Sequence, residues 1–259
     1  MTWQNPWLVA LGLNTVLVGL AFVSPKKLLT PMGYLHAWVL GVIIWGCLGW
    51  QAYGVTLVYF AAGSAVTKVG FAEKAAAGIA EERGGVRGPG NVWGSALTAA
   101  ICALLAGLTG VTAISIAGLS NAQVTQLLIL GFVASLSTKL ADTSATEIGK
   151  AYGQRTFLIT TLQPVPRGTE GAVSLEGTLA GVVGSLILAV AAWGLGFIPA
   201  IGIGICAVAA FVATTIESLI GATLEDKLPG LTHDVVNIIN TLIGAVVAIA
   251  IALAGQFTL

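Results

Sequence analysis

Residues 35–66 read LHAWVLGVIIWGCLGWQAYGVTLVYFAAGSAV, and the number of times this stretch crosses a membrane decides the fold. It contains no Asp, Glu, Lys or Arg. As one helix it would extend about 48 Å at 1.5 Å per residue, against roughly 30 Å of bilayer hydrocarbon. A single crossing is too few. The expectation is two short helices parted near Gln51–Gly54, with Trp50, Tyr53 and Tyr59 as interface anchors.

Outward from this stretch, apolar runs over residues 7–23, 92–108, 124–139, 178–195, 198–220 and 235–254 bring the expected total to eight crossings, or seven if residues 35–66 cross differently. The cations test the count. Lys26 and Lys27 lie in the loop 24–34, Lys68, Lys74, Arg83 and Arg87 in 67–91, Lys139, Lys150, Arg155 and Arg167 in 139–176, and Lys227 in 220–234. All of them face one side only if 35–66 crosses twice. That places both termini on one side and the polar loops on the other, the cytoplasm or its equivalent. The sequence is read as a single integral membrane domain over 1–259, all-α and polytopic, with its chemistry on one face.

Composition agrees: 56% of the residues are hydrophobic and 8% charged, with a mean hydropathy of +0.94. This is the polytopic membrane class. A net charge of zero without a basic stripe argues against nucleic acid as partner. Cys47, Cys102 and Cys206 lie singly in apolar runs, with no zinc or disulfide spacing, and read as small buried hydrophobes. No Lys or Arg precedes the first apolar run, and neither a signal peptide nor a transit peptide is expected.

The stretch Ser137–Gly181, STKLADTSATEIGKAYGQRTFLITTLQPVPRGTEGAVSLEGTLAG, holds four of the eleven Lys and Arg and four of the eleven Asp and Glu. If the fifth helix continues past Lys139, then Lys139, Asp142, Thr146 and Gly149 share one face and Thr143, Glu147 and Lys150 a neighbouring one. Asp142 and Glu147 can then address one metal–phosphate cluster; Glu147 and Lys150 can equally form an i,i+3 surface pair. An acid such as Asp142, directly on a spanning helix, is expensive unless functional. FLITTL is too short to span and reads as a surface strand or interfacial segment. The run Arg167-Gly-Thr169 to Ser174 and Gly177-Thr178 supplies backbone N–H groups and hydroxyls beside a cation at the start of a helix, which is how a loop cradles phosphate, and it can also be read as a tight re-entry turn.

Three further groups repeat the theme. EKAAAGIAEER, residues 73–83, reads as a helix with Glu and Lys on its solvated side. It is followed by RGGVRGPGN, in which Arg83, Arg87 and Asn91 suit an anionic group. Near the C-terminus, Glu217 sits inside a membrane helix and needs a partner, Asp226 lies in the next loop, and Asn237 and Asn240 stand at i,i+3 as ligand groups or helix-to-helix glue. His233 and His36 read as a cap and an interfacial residue.

KLADTSATEIGKAYG with VPRGTEGAVSLEGTLAG closely resembles the polytopic phytyl-phosphate kinases of the vitamin E (tocopherol) pathway in chloroplasts and cyanobacteria. RGGVRGPGNVWG, IESLIGATL and VNIINTLIGA resemble that family's other recurrent blocks, so the resemblance covers most of the chain from Lys68 onward. The order of Asp, glycines and a Ser/Thr-rich loop more distantly resembles CTP-using polyprenol kinases and phosphatidate cytidylyltransferases, and the nucleotide is assigned by that analogy.

The resemblance implies transfer of the terminal phosphoryl of CTP, or another nucleoside triphosphate, to phytyl phosphate, giving phytyl diphosphate for tocopherol and phylloquinone synthesis. It implies a bacterial or cyanobacterial cytoplasmic or thylakoid membrane. A phosphate monoester is already anionic at neutral pH, so the difficulty is repulsion between two anions rather than want of a strong base. Lys139, Lys150 and Arg167 would then clamp phosphate. Arg83, Arg87, Asn91, Thr169, Ser174, Thr178 and Asn237 would bind phosphate or nucleotide, and Asp142, Glu147, Glu217 and Asp226 would hold Mg²⁺. The prenyl tail would lie between glycine-rich helices. The competing readings are a membrane transporter and a cytidylyltransferase acting on a lipid phosphate.

Overall fold

The computed structural model describes residues 5–110, 118–224, 227–228 and 230–256, with side chains for all of these except Glu82 and Arg83. Among them, seven helices are long and apolar enough to span a membrane. These are α1 (Pro6–Val23), α2 (Pro31–Lys68), α4 (Pro89–Thr109), α5 (Asn121–Tyr152), α6 (Leu175–Gly194), α7 (Ile201–Thr223) and α8 (His233–Ala254). The short α3 (Phe71–Ala76) and a two-stranded antiparallel ribbon, β1 (Thr156–Leu158) with β2 (Ala172–Ser174), lie between them.

The stretch 35–66 does cross twice, because α2 is folded back on itself. Gly49 takes φ 77°, ψ −163°, a conformation open to glycine and closed to helix. The Trp45 and Tyr53 rings meet edge to face at 5.3 Å, although eight residues of straight helix would separate them by about 12 Å. Gly33 and Gly63 both abut Arg87, a Cβ on the first coming 2.6 Å from its carbonyl oxygen and one on the second 3.1 Å from its guanidinium. A straight helix would hold those two glycines about 45 Å apart. Seven helices thus make eight membrane-length passes. The break falls at Gly49 rather than at Gln51–Gly54, since the turn needs a positive φ and Gly49 supplies it. Trp50 is exposed, but Tyr53 and Tyr59 are buried and are not interface anchors. Tyr53 donates to Asn14 Oδ1 at 3.0 Å, which satisfies a polar group of α1 inside the bundle.

The axis of the bundle is α5, packed by α2, α4, α6, α7 and α8. It starts at a capping box, in which Ser120 Oγ accepts from the Gln123 N–H and Gln123 Oε1 from the Ser120 N–H. Leu130, Phe132, Val133, Leu136 and Leu140 of α5 are fully enclosed. Its closest neighbour is α6, which lays Gly177, Gly181 and Gly184 along it. A Cβ on Gly177 would stand 2.7 Å from the Ala145 carbonyl oxygen, and on Gly184 3.0 Å from that of Leu140. Only hydrogen fits there, so these glycines set the helix spacing. At 32 residues α5 runs about 48 Å, well beyond one hydrocarbon thickness, and its last turns rise among the polar loops.

The polar ends meet on one face. A Cβ on Gly70 would press on Ala151 at 2.8 Å and one on Gly168 on Ile79 at 2.8 Å, while Gly171 abuts Ala222 and Gly90 abuts Asp234. FLITTL supplies β1 at this face, in line with a surface strand. EKAAAGIAEER is a helix only up to Ala76, because Gly78 turns left-handed at φ 70°. Lys74 is not on a solvated side: it is 1% exposed.

Candidate active site

A cavity of about 420 Å³ opens on the polar face and is lined by α2, α4, α5, α6, α7, α8 and both large loops. Because α5 continues to Tyr152, it delivers Lys139, Asp142, Glu147 and Lys150 to one wall. Arg87 and Asn91 enter from the start of α4, Thr169 from the 153–174 loop, Ser174 and Thr178 from the start of α6, Glu217 from α7, and His233 and Asn237 from α8. These elements come from four separate parts of the sequence. The fold assembles them, and no local motif contains the site.

Its centre is Lys139. The ammonium donates to Asp142 Oδ2 at 2.6 Å and to Asn237 Oδ1 at 2.5 Å, with Glu217 and Tyr59 within electrostatic reach. Glu217 lies close to Asp142 and accepts from Asn240 Nδ2 at 2.5 Å. Thr146 hydroxyl donates to Asp142 Oδ1 at 3.5 Å, and His233 faces the same carboxylate. The group therefore holds one cation and two carboxylates, each fixed by an asparagine or a threonine. Glu217 lies about 9 Å down from the end of α7, counted along the helix, where an ionised side chain must be paired. Here Glu217 has the Asn240 amide as hydrogen-bond partner and the Lys139 ammonium within electrostatic reach.

A second charged group lies beside the first. Glu147 forms a buried ion pair with Lys74 of α3, and the Lys74 ammonium also donates to the Thr67 carbonyl at 3.0 Å. This replaces the surface pairing of Glu147 with Lys150. Lys150 lines the cavity and makes no hydrogen bond or ion pair among the described residues. Arg87 is anchored by its backbone, which bonds Leu28 and Thr30, and its guanidinium lies 5.9 Å from the Tyr59 ring and 6.0 Å from that of Phe60. Nη1 also donates to the Tyr59 hydroxyl at 3.4 Å. These contacts hold the guanidinium beside the cavity, which Arg87 and Tyr59 both line.

The remaining expected residues divide. Arg167 does not reach the cavity. Its Nη1 donates to the Ala151 carbonyl at 2.8 Å, tying the 153–174 loop to the end of α5, and the side chain lines a separate groove outside the ribbon. The last carbonyls of a helix attract a guanidinium, and that local attraction wins over the cavity. Ser174 is the N-cap of α6, its Oγ accepting from Gly177 N–H at 3.1 Å, and the Thr178 hydroxyl donates to the Ser174 carbonyl at 2.9 Å. Thr169 closes its own turn by donating to the Pro166 carbonyl at 2.8 Å, and Asn91 Oδ1 accepts from Gly88 N–H at 3.0 Å. The glycines of this loop serve close packing as well as any phosphate: Gly168, at φ 86°, fits against Ile79. Asp226 lies outside the described residues, as does the side chain of Arg83.

Lys74, Tyr59 and the hydroxyl row Thr214, Thr215 and Ser218 were not singled out by sequence for the roles they have here, whereas Asn240, read as a ligand group or helix-to-helix glue, bonds from α8 to Glu217 of α7. Thr214, Thr215 and Ser218 recur on one face of an apolar helix beside Glu217, and that spacing was the available signal. Lys74 gave none, since its burial depends on a residue 73 positions away.

The charge balance of the lining tests a metal. Among the described residues, Arg87, Lys139 and Lys150 face Glu81, Asp142, Glu147, Glu170 and Glu217, so carboxylates outnumber cations there. Such a lining repels bare phosphates and suits phosphate already complexed to a divalent cation. Among the described residues no group of three or more His, Cys, Asp or Glu side chains forms a protein-only metal cage. Mg²⁺ needs none, because it takes one or two carboxylates and completes its shell with phosphate oxygens and water. Asp142 and Glu217, close to each other, fit that donor set.

Comparison with known proteins places the whole chain. It is 61% identical to an uncharacterized membrane protein of Synechocystis sp., over 97% of this chain and 93% of that one. It is 44% identical to the chloroplastic protein VTE6 of Arabidopsis thaliana over 85% of this chain, spanning 64% of the plant protein. An uncharacterized membrane protein of Methanocaldococcus jannaschii is 28% identical over 88% of each chain. No solved structure matches. The model of the family described as integral membrane protein DUF92 matches residues 14–245, from the first pass to the last. The chain belongs to this family, as a cyanobacterial and chloroplast-type member related to VTE6.

Proposed function

We propose that the protein is a prenyl-phosphate kinase of tocopherol and phylloquinone synthesis, transferring the terminal phosphoryl of CTP or another nucleoside triphosphate to phytyl phosphate. The observation that carries this reading is the cavity at the polar ends of membrane helices, in which, among the described residues, Lys139, Lys150 and Arg87 stand with a larger number of carboxylates. The relationship to VTE6 and the motif resemblance point the same way. The polar face is the cytoplasmic one, or its equivalent, where the nucleotide is available.

In the reaction, an oxygen of the acceptor monophosphate attacks the terminal phosphorus of the nucleotide. The new P–O bond forms as the bond to the bridging oxygen breaks, and the nucleoside diphosphate leaves with the electron pair. The acceptor is already ionised at neutral pH, so catalysis consists of bringing two anions together and stabilising the transferred group. Lys139, oriented by Asp142 and Asn237, presents its charge at the junction of the two phosphates. Arg87, beside the Tyr59 ring, and Lys150 hold the outer phosphates. Mg²⁺, when bound, neutralises the phosphate oxygens, with Asp142 and Glu217 as its protein ligands.

Purified protein in detergent, supplied with Mg²⁺ and phytyl phosphate, is incubated with CTP labelled either on the γ-phosphorus or in the cytidine. The proposal expects γ-label in a prenyl diphosphate. Cytidine label in the lipid would instead make it a cytidylyltransferase. No turnover with any prenyl phosphate and nucleotide, together with passage of a solute in proteoliposomes, would make it a transporter.

A further inference from the structure

The cavity does not end at the charged residues. Beside Lys139 and Asp142 the lining also takes in Val182 and Ser185 of α6 and Phe211, Thr214 and Thr215 of α7. Phe211 lies about 18 Å down α7 from its polar end and Val182 about 10 Å down α6 from its start, both at hydrocarbon depth. Val182 is 36% exposed and Phe211 51% exposed, although both line the cavity. A residue that faces the cavity and the outside together marks an edge, so the cavity opens sideways between α6 and α7. The exposed surface around that edge is apolar, with Leu179, Val183 and Val208 all exposed. It is the surface a membrane helix gives to lipid.

The hydroxyls beside the opening ask nothing of a ligand. Thr214 donates to the Ala210 carbonyl at 2.9 Å, Thr215 to Phe211 at 2.7 Å and Ser218 to Thr214 at 3.0 Å. With these donors spent on their own helix, the wall offers methyl and methylene groups to whatever lies along it. Gly177 and Gly181 of α6 also line the cavity, but Gly177 and Gly184 lie so close to the backbone of α5 that little room is left between those two helices.

We infer that the α6–α7 opening is a lateral port through which a long isoprenoid monophosphate enters from the bilayer, its phosphate at Lys139 and its hydrocarbon tail leaving past Val182 and Phe211. This rests on the prenyl-phosphate kinase reading for the head group and adds the route and the seat of the tail. A tail held in lipid needs no enclosed pocket. Such a port accepts chains long enough to reach the bilayer and favours them over short, water-soluble ones.

The test uses the full chain in lipid nanodiscs with a twenty-carbon isoprenyl monophosphate carrying a photoreactive group in mid-tail. Crosslinks competed by unlabelled phosphate are expected within residues 175–194 and 201–223; crosslinks confined to α1, α2 or α4 would overturn the port. In parallel, Thr214→Phe, which fills the opening, should lower the ratio of kcat/KM for a twenty-carbon over a five-carbon isoprenyl monophosphate by roughly ten-fold or more, as expected when several methylenes lose their contact. An unaltered ratio in a folded variant would overturn the port. If competed crosslinks fall on α6 and α7 but no phosphoryl transfer occurs with any nucleotide, the port stands and the kinase reading fails. Transfer with crosslinks elsewhere has the opposite meaning.

Discussion

Lys74 and Glu147, 73 positions apart, form an ion pair whose side chains are 0% and 4% exposed. It pins α3 and the loop after it against the wall of the cavity, since Glu147 stands on α5 and Lys74 also holds the end of α2 through the Thr67 carbonyl. Removing one partner leaves a buried charge unpaired. Lys74→Ala or Glu147→Ala should each destabilise the protein by about 3–5 kcal/mol, whereas Lys74→Met with Glu147→Leu should recover most of the loss. Thermal unfolding in detergent measures both, and full additivity of the two single effects would contradict the pairing.

Lys139 and Asp142 stand at the proposed point of transfer. Asp142→Asn keeps the shape and the hydrogen bond to Lys139 but removes the charge, so turnover should fall by about 10²–10³-fold or more in a protein that still folds and elutes as the parent does. Retained turnover would remove Asp142 from the site.

In the proposed reaction Asp142 and Glu217 would hold Mg²⁺. Chelation should abolish transfer and Mg²⁺ should restore it, and Glu217→Gln should raise the Mg²⁺ concentration needed for half-maximal rate by about ten-fold, the loss of roughly one good ligand interaction. A Glu217→Gln enzyme with the parent's Mg²⁺ dependence would place the metal elsewhere.

Two arginines near the polar face should behave differently. Arg87→Lys loses the planar fork beside the Tyr59 ring and should weaken nucleotide binding, read as KM, by about ten-fold. Arg167→Ala, outside the cavity, should leave KM within about two-fold while making the 153–174 loop easier to cleave by protease, because the bond to the Ala151 carbonyl is lost. A large KM effect for Arg167→Ala would return that residue to the site.

The close contact of α5 and α6 predicts a packing effect. Gly177→Val would drive side-chain atoms into the Ala145 carbonyl, where even a Cβ has only 2.7 Å. A loss of at least about 1–3 kcal/mol is expected from overpacking, seen as a lowered melting temperature. An unshifted melting temperature would mean that the helices separate freely.

Much of this was legible in the chain itself. Hydrocarbon thickness against residue count required 35–66 to cross twice, and the one-sided placement of every Lys and Arg required the polar ends to share a face. Both follow from one-dimensional facts, length and charge order, because the bilayer imposes them on each segment separately. Lys139, Asp142 and Glu147 were legible for the same reason, as charges written into or next to an apolar helix. Which charges meet is a matter of packing. Lys74 was given a solvated place and is buried on Glu147, and Arg167 was given phosphate and holds a helix end. Glu217 was known to need a partner, but only the contact of α7 and α8 with α5 provides Asn240 and Lys139. Likewise, the turn at Gly49 and the opening between α6 and α7 depend on how neighbouring helices press on one another, a quantity that sequence order does not carry. The tertiary structure alone decides those pairings, because a side chain's energy inside a bundle is set by the neighbours that enclose it and not by the residues adjacent along the chain.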